Sequence, residues 1–206
     1  MIQSFAITSI GRLTDTYALP NGLPKGVKPS EHTKPAQVLP VIIADGNGRR
    51  IEHMKWGFFT VGAKDANSVF RYKTFNVRSE DVFKKPMFEK AIRSQRCIVP
   101  VDGFYYTASG KPSTGTHYVT SQDGSLLSLA GVYSSWVDTE GKEWNMFSIV
   151  TTTANKDMRT IDNRMPVILP KDKETLWLDS SVSDMTDLYD MMRPYTPGLL
   201  KIESAK

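Results

Sequence analysis

An α+β domain with a mostly antiparallel, barrel-like β core and a few peripheral helices is what the sequence predicts. Three observations carry the prediction. Short runs rich in β-branched and aromatic residues crowd the middle of the chain, turn-forming clusters separate them, and helical spacing appears only in brief segments. At 206 residues the chain can bury one sizeable core, so a single domain spanning residues 1–206 is expected.

Taken in order, the first 37 residues are punctuated by Gly and Pro, and LPNGLPKGVKPSEHTKPAQ reads as a long loop that wraps other structure. VLPVIIADGNGRRIEHMKWGFF places apolar residues on both sides of Asn47-Gly48 and predicts a hairpin turning there. KKPMFEKAIRSQ has helical spacing, with Pro86 suited to a first turn. It leads into RCIVPVDGFYYTA, a β-branched run ending near Gly110. THYVTSQ, LLSLAGVYSSWV and WNMFSIVTTTA are three more strands, divided by QDGS and DTEGKE. PKDKETLWL predicts a helix opened by Pro170, and SDMTDLYDMM another with Ser183 as N-cap and Pro194 beyond its end.

Charge and cysteine usage exclude some functions. A net charge of +4 and a pI near 9.1 permit an anionic partner without demanding one. Cys97 is the single cysteine, which excludes an internal disulfide and a CxxC zinc pair and suits a reducing cytoplasm. No apolar run reaches the roughly 18 residues of a membrane span, and the N-terminus lacks the marks of an export signal. His32, His53 and His117 have no metal-ligand spacing, so no metal and no cofactor are expected. Trp56, Trp136, Trp144 and Trp177 read as core or edge packing, and Cys97 as a small buried hydrophobe.

Several short patches occur in a telling order: WGFF from Trp56, FNVRSE from Phe75, RCIVP from Arg96, DGFYY from Asp102, LAGVY from Leu129, TTAN from Thr152, RMP from Arg164 and the pair Trp177-Leu178. Together they resemble the SRAP family, the SOS-response-associated peptidases, from about Lys34 to Leu178. The resemblance implies a barrel-like β domain with a basic cleft for single-stranded DNA in a DNA-damage (SOS) context. It also implies a Cys at position 2 that closes a thiazolidine with the aldehyde of a ring-opened abasic site, because the α-amine and thiol of one residue must add to one carbonyl carbon. In that family an Asn orients the N-terminal residue, a Glu assists proton transfer and a His acts as acid or base on the opened sugar.

Carried over residue by residue, only the Asn position is kept, as Asn76. MIQSF stands where the family has MCGRF, so Ile2 holds the nucleophile position and Ser4 that of a basic residue; the bulky Ile2 is expected to leave Met1 in place. GFYYT replaces GFYEW and puts Tyr106 at the Glu position, where a phenol with a reference pKa near 10 is a poor base. IDNRMP replaces IHxRMP and puts Asp162 at the His position, where it reads as a polar residue closing a turn. Thr60 and Gly62 stand where the family has a Pro and an aromatic wedge, and each lost base stack weakens DNA binding by roughly 1 to 3 kcal/mol.

The expected function is therefore weak, salt-sensitive binding of single-stranded or abasic-site DNA in a cleft around Arg78, Arg96 and Arg164, without the crosslink. Arg78 is the favoured phosphate contact, with an ion pair to Glu80 as its competing role. Two other readings follow from the same losses. One is a protein-interaction module on a reused scaffold, and the other a peptidase or lyase with rearranged catalytic residues. A cytoplasmic monomer is expected.

Overall fold

The computed structural model describes residues 2–59, 73–107, 115–137 and 140–205. Period-two patterning resolves into two sheets, and their strands are introduced here in chain order. The strands are β1 (Ile2–Ile7), β2 (Ser30–Thr33), β3 (Val38–Asp45), β4 (Gly48–Trp56), β5 (Asn76–Arg78), β6 (Arg96–Val101), β7 (Gly103–Thr107), β8 (Thr116–Ser121), β9 (Leu127–Val137), β10 (Glu143–Thr153), β11 (Arg164–Pro166) and β12 (Leu200–Ser204). Helices are short: α1 (Leu13–Tyr17), α2 (Pro86–Ser94), α3 (Glu174–Leu178) and α4 (Met185–Met191). No helix of the described residues is long and apolar enough to cross a membrane.

One sheet has the order β12-β8-β7-β1-β2 and is antiparallel throughout. In the other, β10-β4-β3-β6-β9 closes on itself through the β9–β10 pairing, forming a five-stranded barrel. Alternation decides what each face meets. Cys97, Val99 and Val101 of β6 join Phe104, Tyr106 and Val119 of the open sheet in one core, whereas Ile98 packs with Phe88 and Ile92 of α2 in a second. Cys97 is fully buried, which pushes its thiol pKa up, and Trp177 donates its indole N–H to the Cys97 carbonyl at 3.0 Å.

Several elements differ from expectation for local reasons. The run RCIVPVDGFYYTA divides at Asp102 into two strands that belong to different sheets. Gly103 permits this, because a Cβ there would lie 2.6 Å from the Val119 carbonyl oxygen. The expected end of that run at Gly110 lies outside the described residues. In the hairpin, Asp45 pairs with Gly48, so the turn is Gly46-Asn47 rather than Asn47-Gly48; the Asp45 carboxylate accepts the Asn47 amide at 2.8 Å and starts the turn one residue early. The first 37 residues are not simply a loop, since β1 is an inner strand of the open sheet and α1 buries Leu13 and Tyr17. The cap of α4 is Asp184, whose carboxylate accepts the Thr186 amide at 2.7 Å, rather than Ser183.

Asp102 also ties the sheets together. Its carboxylate accepts the amides of Thr8 at 2.5 Å and Ser9 at 3.0 Å and the Thr8 hydroxyl at 3.1 Å. Burial alone would raise its pKa, but the hydrogen bonds from Ser9 and Thr8 outweigh that and hold it below the usual carboxylate range. A depressed folded-state pKa stabilises above the unfolded value, near 4, and the gain is lost as pH falls through the folded value. Asp102→Asn should therefore lower Tm at pH 7, with the gap to the parent narrowing as pH falls and the carboxylate is protonated. A gap that stays constant across a pH series of thermal melts would show that the carboxylate charge plays no part.

Candidate functional site

Arg78, Tyr106, Asp162 and Arg164 converge with Asn76 on one cavity of about 290 Å³. Strand pairing brings them together. β5 runs parallel to the second half of β10, with Asn76 opposite Ile149 and Arg78 opposite Thr151. Alternation buries Val77 and turns Asn76 and Arg78 the other way. On the opposite edge of β10, β11 pairs Arg164 with Thr153. Tyr106 comes from β7, where it pairs with Ile2 of β1.

Within this cavity the side chains differ in how far they are engaged. Tyr106 is fully buried and donates its hydroxyl to the Arg164 carbonyl at 2.8 Å. Burial raises its pKa, Asp162 adds to the shift and Arg164 opposes it, so the phenol is neutral at physiological pH and no base. Asp162 closes the turn before β11: its amide donates to the Met158 carbonyl at 3.0 Å and its carboxylate accepts the Arg164 amide at 3.3 Å. Arg164 grips Glu80 with two hydrogen bonds of 2.6 and 2.9 Å and reaches the Thr151 carbonyl at 2.7 Å. That fork holds the Glu80 carboxyl below its ordinary pKa. The competing ion pair weighed for Arg78 thus goes to Arg164 instead. Among the described residues Arg78 has no ion pair or side-chain hydrogen bond, and it is exposed. Asn76 is the anomaly: both its amide oxygen and its amide nitrogen are buried without a hydrogen-bond partner among the described residues.

Ile2, at the position of the family nucleophile, is 2% exposed and packs into the core beside Tyr106 rather than presenting a reactive group. Arg96 requires a correction. Expected at the DNA, it is 3% exposed and lies away from the cavity. Its guanidinium donates to the carbonyls of Ile92, Arg93, Trp177 and Asp179, the freed carbonyls at the C-terminal ends of α2 and α3. Burial lowers its pKa to about 10, which leaves it charged at neutral pH. Thr60 and Gly62 lie outside the described residues, as does Met1.

Sequence reasoning missed Asp81, Lys85 and Thr151, which line the same cavity. Thr151 was signalled only by its place two residues before the end of a strand, and Asp81 and Lys85 belong to the turn that enters α2. Among the described residues no cluster of three or more His, Cys, Asp or Glu side chains is placed to hold a metal ion.

Known proteins agree on what this architecture is. The chain is similar to the abasic site processing protein YoqW of Bacillus subtilis, at 34% identity over 89% of this chain and 82% of that protein. A crystal structure of a Bacteroides thetaiotaomicron protein superposes with a TM-score of 0.82 at 24% identity, covering 97% of this chain and 89% of the other. One from Bordetella bronchiseptica gives 0.83 at 22% identity with both chains fully covered. Residues 7–205 match the family model described as SOS response associated peptidase (SRAP). With that span and that relative, the chain belongs to the SOS response associated peptidase family.

Proposed function

We propose that the chain binds single-stranded DNA, with preference for a strand carrying an abasic site, and does so without closing a thiazolidine. The observation that supports this reading is the exposed guanidinium of Arg78, free of any counter-ion among the described residues, at a cavity whose Asn76 amide has no partner. A phosphate suits the first group and a sugar hydroxyl or opened aldehyde the second. Thiazolidine closure needs a thiol and an amine on one residue. Ile2 supplies no thiol, and Cys97 is sealed in the barrel core. Binding is weak on this reading because Glu80 already engages Arg164, Arg96 caps helices, and Asp162 adds a carboxylate to the cavity.

Fluorescence anisotropy with a labelled single-stranded oligonucleotide, intact or carrying one abasic site, tests the reading at low and at physiological salt. Affinity should fall as salt rises. Arg78→Ala should weaken binding about three- to tenfold at low salt and reduce the slope of log K against log salt by about 1. Unchanged affinity and slope in that variant would remove Arg78 from the interface, and no binding at low salt would end the DNA reading.

A further inference from the structure

The cavity also contains a primary amine that no part of the family resemblance assigns. Lys85 stands immediately before Pro86, the first residue of α2, and lines the same cavity as Asn76 and Tyr106. Among the described residues lining the cavity, it supplies the one primary amine. Its Nζ lies 3.7 Å from a carboxylate oxygen of Asp81, one helical turn earlier, and its side chain is 54% exposed. Its backbone amide donates to the Asp81 carbonyl at 3.0 Å, which fixes the turn that presents both side chains. Asn76 adds a buried amide whose donor and acceptor both lack partners among the described residues.

We propose that Lys85 captures the aldehyde of a ring-opened abasic site as a reversible Schiff base. The inference rests on the cavity accepting an abasic strand, as proposed above. The unprotonated form of the Lys85 amine attacks the aldehyde carbon and forms a C–N bond, while one of its two N–H protons passes by way of the Asp81 carboxylate to the carbonyl oxygen. The resulting carbinolamine loses its hydroxyl as water while the nitrogen gives up its remaining proton and a C=N bond forms. Amine and aldehyde yield imine and water, with no change of oxidation state. The Asn76 amide nitrogen can donate to the carbinolamine oxygen and its amide oxygen can accept from it, which would satisfy both orphaned atoms. With no thiol on the same residue the reaction stops at the imine, so the adduct hydrolyses back rather than persisting.

The test incubates the full chain with a single-stranded oligonucleotide carrying one abasic site, with and without sodium cyanoborohydride. A denaturing gel reads the adduct, peptide mass mapping locates it, and anisotropy on the same strand without reductant reads binding. The expected result is binding together with a reductant-dependent adduct on Lys85. Lys85→Arg should lower its yield at least tenfold and Asp81→Asn should slow its formation several-fold. Binding with no adduct, or with the adduct on another residue, would overturn the role of Lys85 and leave the binding reading intact. Failure to bind the abasic strand would overturn both.

Discussion

Arg96→Ala should destabilise the protein by about 4 kcal/mol or more, with little direct effect on DNA affinity once the folded fraction is accounted for. The guanidinium serves four carbonyls, of which that of Asp179 also accepts the Val182 amide at 3.1 Å. Nε donates to Trp177 at 2.5 Å, one terminal nitrogen to Ile92 and Arg93, each at 2.7 Å, and the other to Asp179. Truncation takes this donor from the carbonyls of Ile92, Arg93 and Trp177, while Asp179 keeps the Val182 amide, and each group left unsatisfied costs about 1 to 3 kcal/mol, reduced where water can enter. It also removes a cation stacked 5.7 Å from the Trp177 ring and placed at the negative ends of two short helices. Lys has three donors in a compact head and cannot span four acceptors, so Arg96→Lys should fall between the parent and Arg96→Ala. Urea denaturation measures the loss. A cost below about 0.5 kcal/mol with a clear drop in DNA affinity would return Arg96 to the surface role first expected of it.

The reasons Arg96 was misread define what the sequence exposes. An arginine at the start of an apolar strand looks like a solvated terminus, and nothing local says that two helix ends, one of them some eighty residues away, will meet over it. The β core was legible because alternation and turn clusters are local signals: THYVTSQ, LLSLAGVYSSWV and WNMFSIVTTTA all form strands where expected. Where one strand passes into another sheet, as at Asp102, composition stays uniform and only the close approach of Gly103 to β8 marks the break. β12 was missed because an edge strand after Pro194 has only Leu200 and Ile202 to announce it. In the cavity, family-pattern positions led to Asn76, Tyr106, Asp162, Arg78 and Arg164, since each stands in an ordered motif. The partner of Glu80 was not legible, because the choice between Arg78 and Arg164 is made by the pairing of β5 and β11 with opposite edges of β10. Lys85 was hidden in a stretch whose helical spacing explained it fully.

Glu174→Gln should cost about 3 kcal/mol, although it changes only a few atoms. The Glu174 side chain is 2% exposed at the head of α3, and one carboxylate oxygen accepts from Arg49 at 3.0 Å and from Lys171 at 2.9 Å. The other accepts from the Ser128 hydroxyl at 2.7 Å, and Ser128 in turn lies 2.9 Å from the buried Tyr17 hydroxyl. With Ser128 donating to Glu174, Tyr17 must donate to Ser128, so the chain of hydrogen bonds has one direction from α1 through β9 to α3. Gln keeps the shape but replaces one acceptor with a donor. Turned toward Arg49 and Lys171, its amide nitrogen meets two cations; turned toward Ser128, it reverses the chain and leaves Arg49 without a counter-charge. Arg49 is 17% exposed, so water compensates only in part, though its bond to the Thr175 hydroxyl at 2.8 Å remains. Lys171 is 61% exposed and can turn to solvent, so Lys171→Ala should cost less than about 1 kcal/mol. The difference between the two variants in urea denaturation is the test. Near-equal small losses would mean the buried carboxylate is not what holds α3 to the barrel. A large loss for Glu174→Gln alone means the same carboxylate that orders α1 and β9 also positions the helix whose end Arg96 caps, so that α1, α3 and β9 depend on one buried charge.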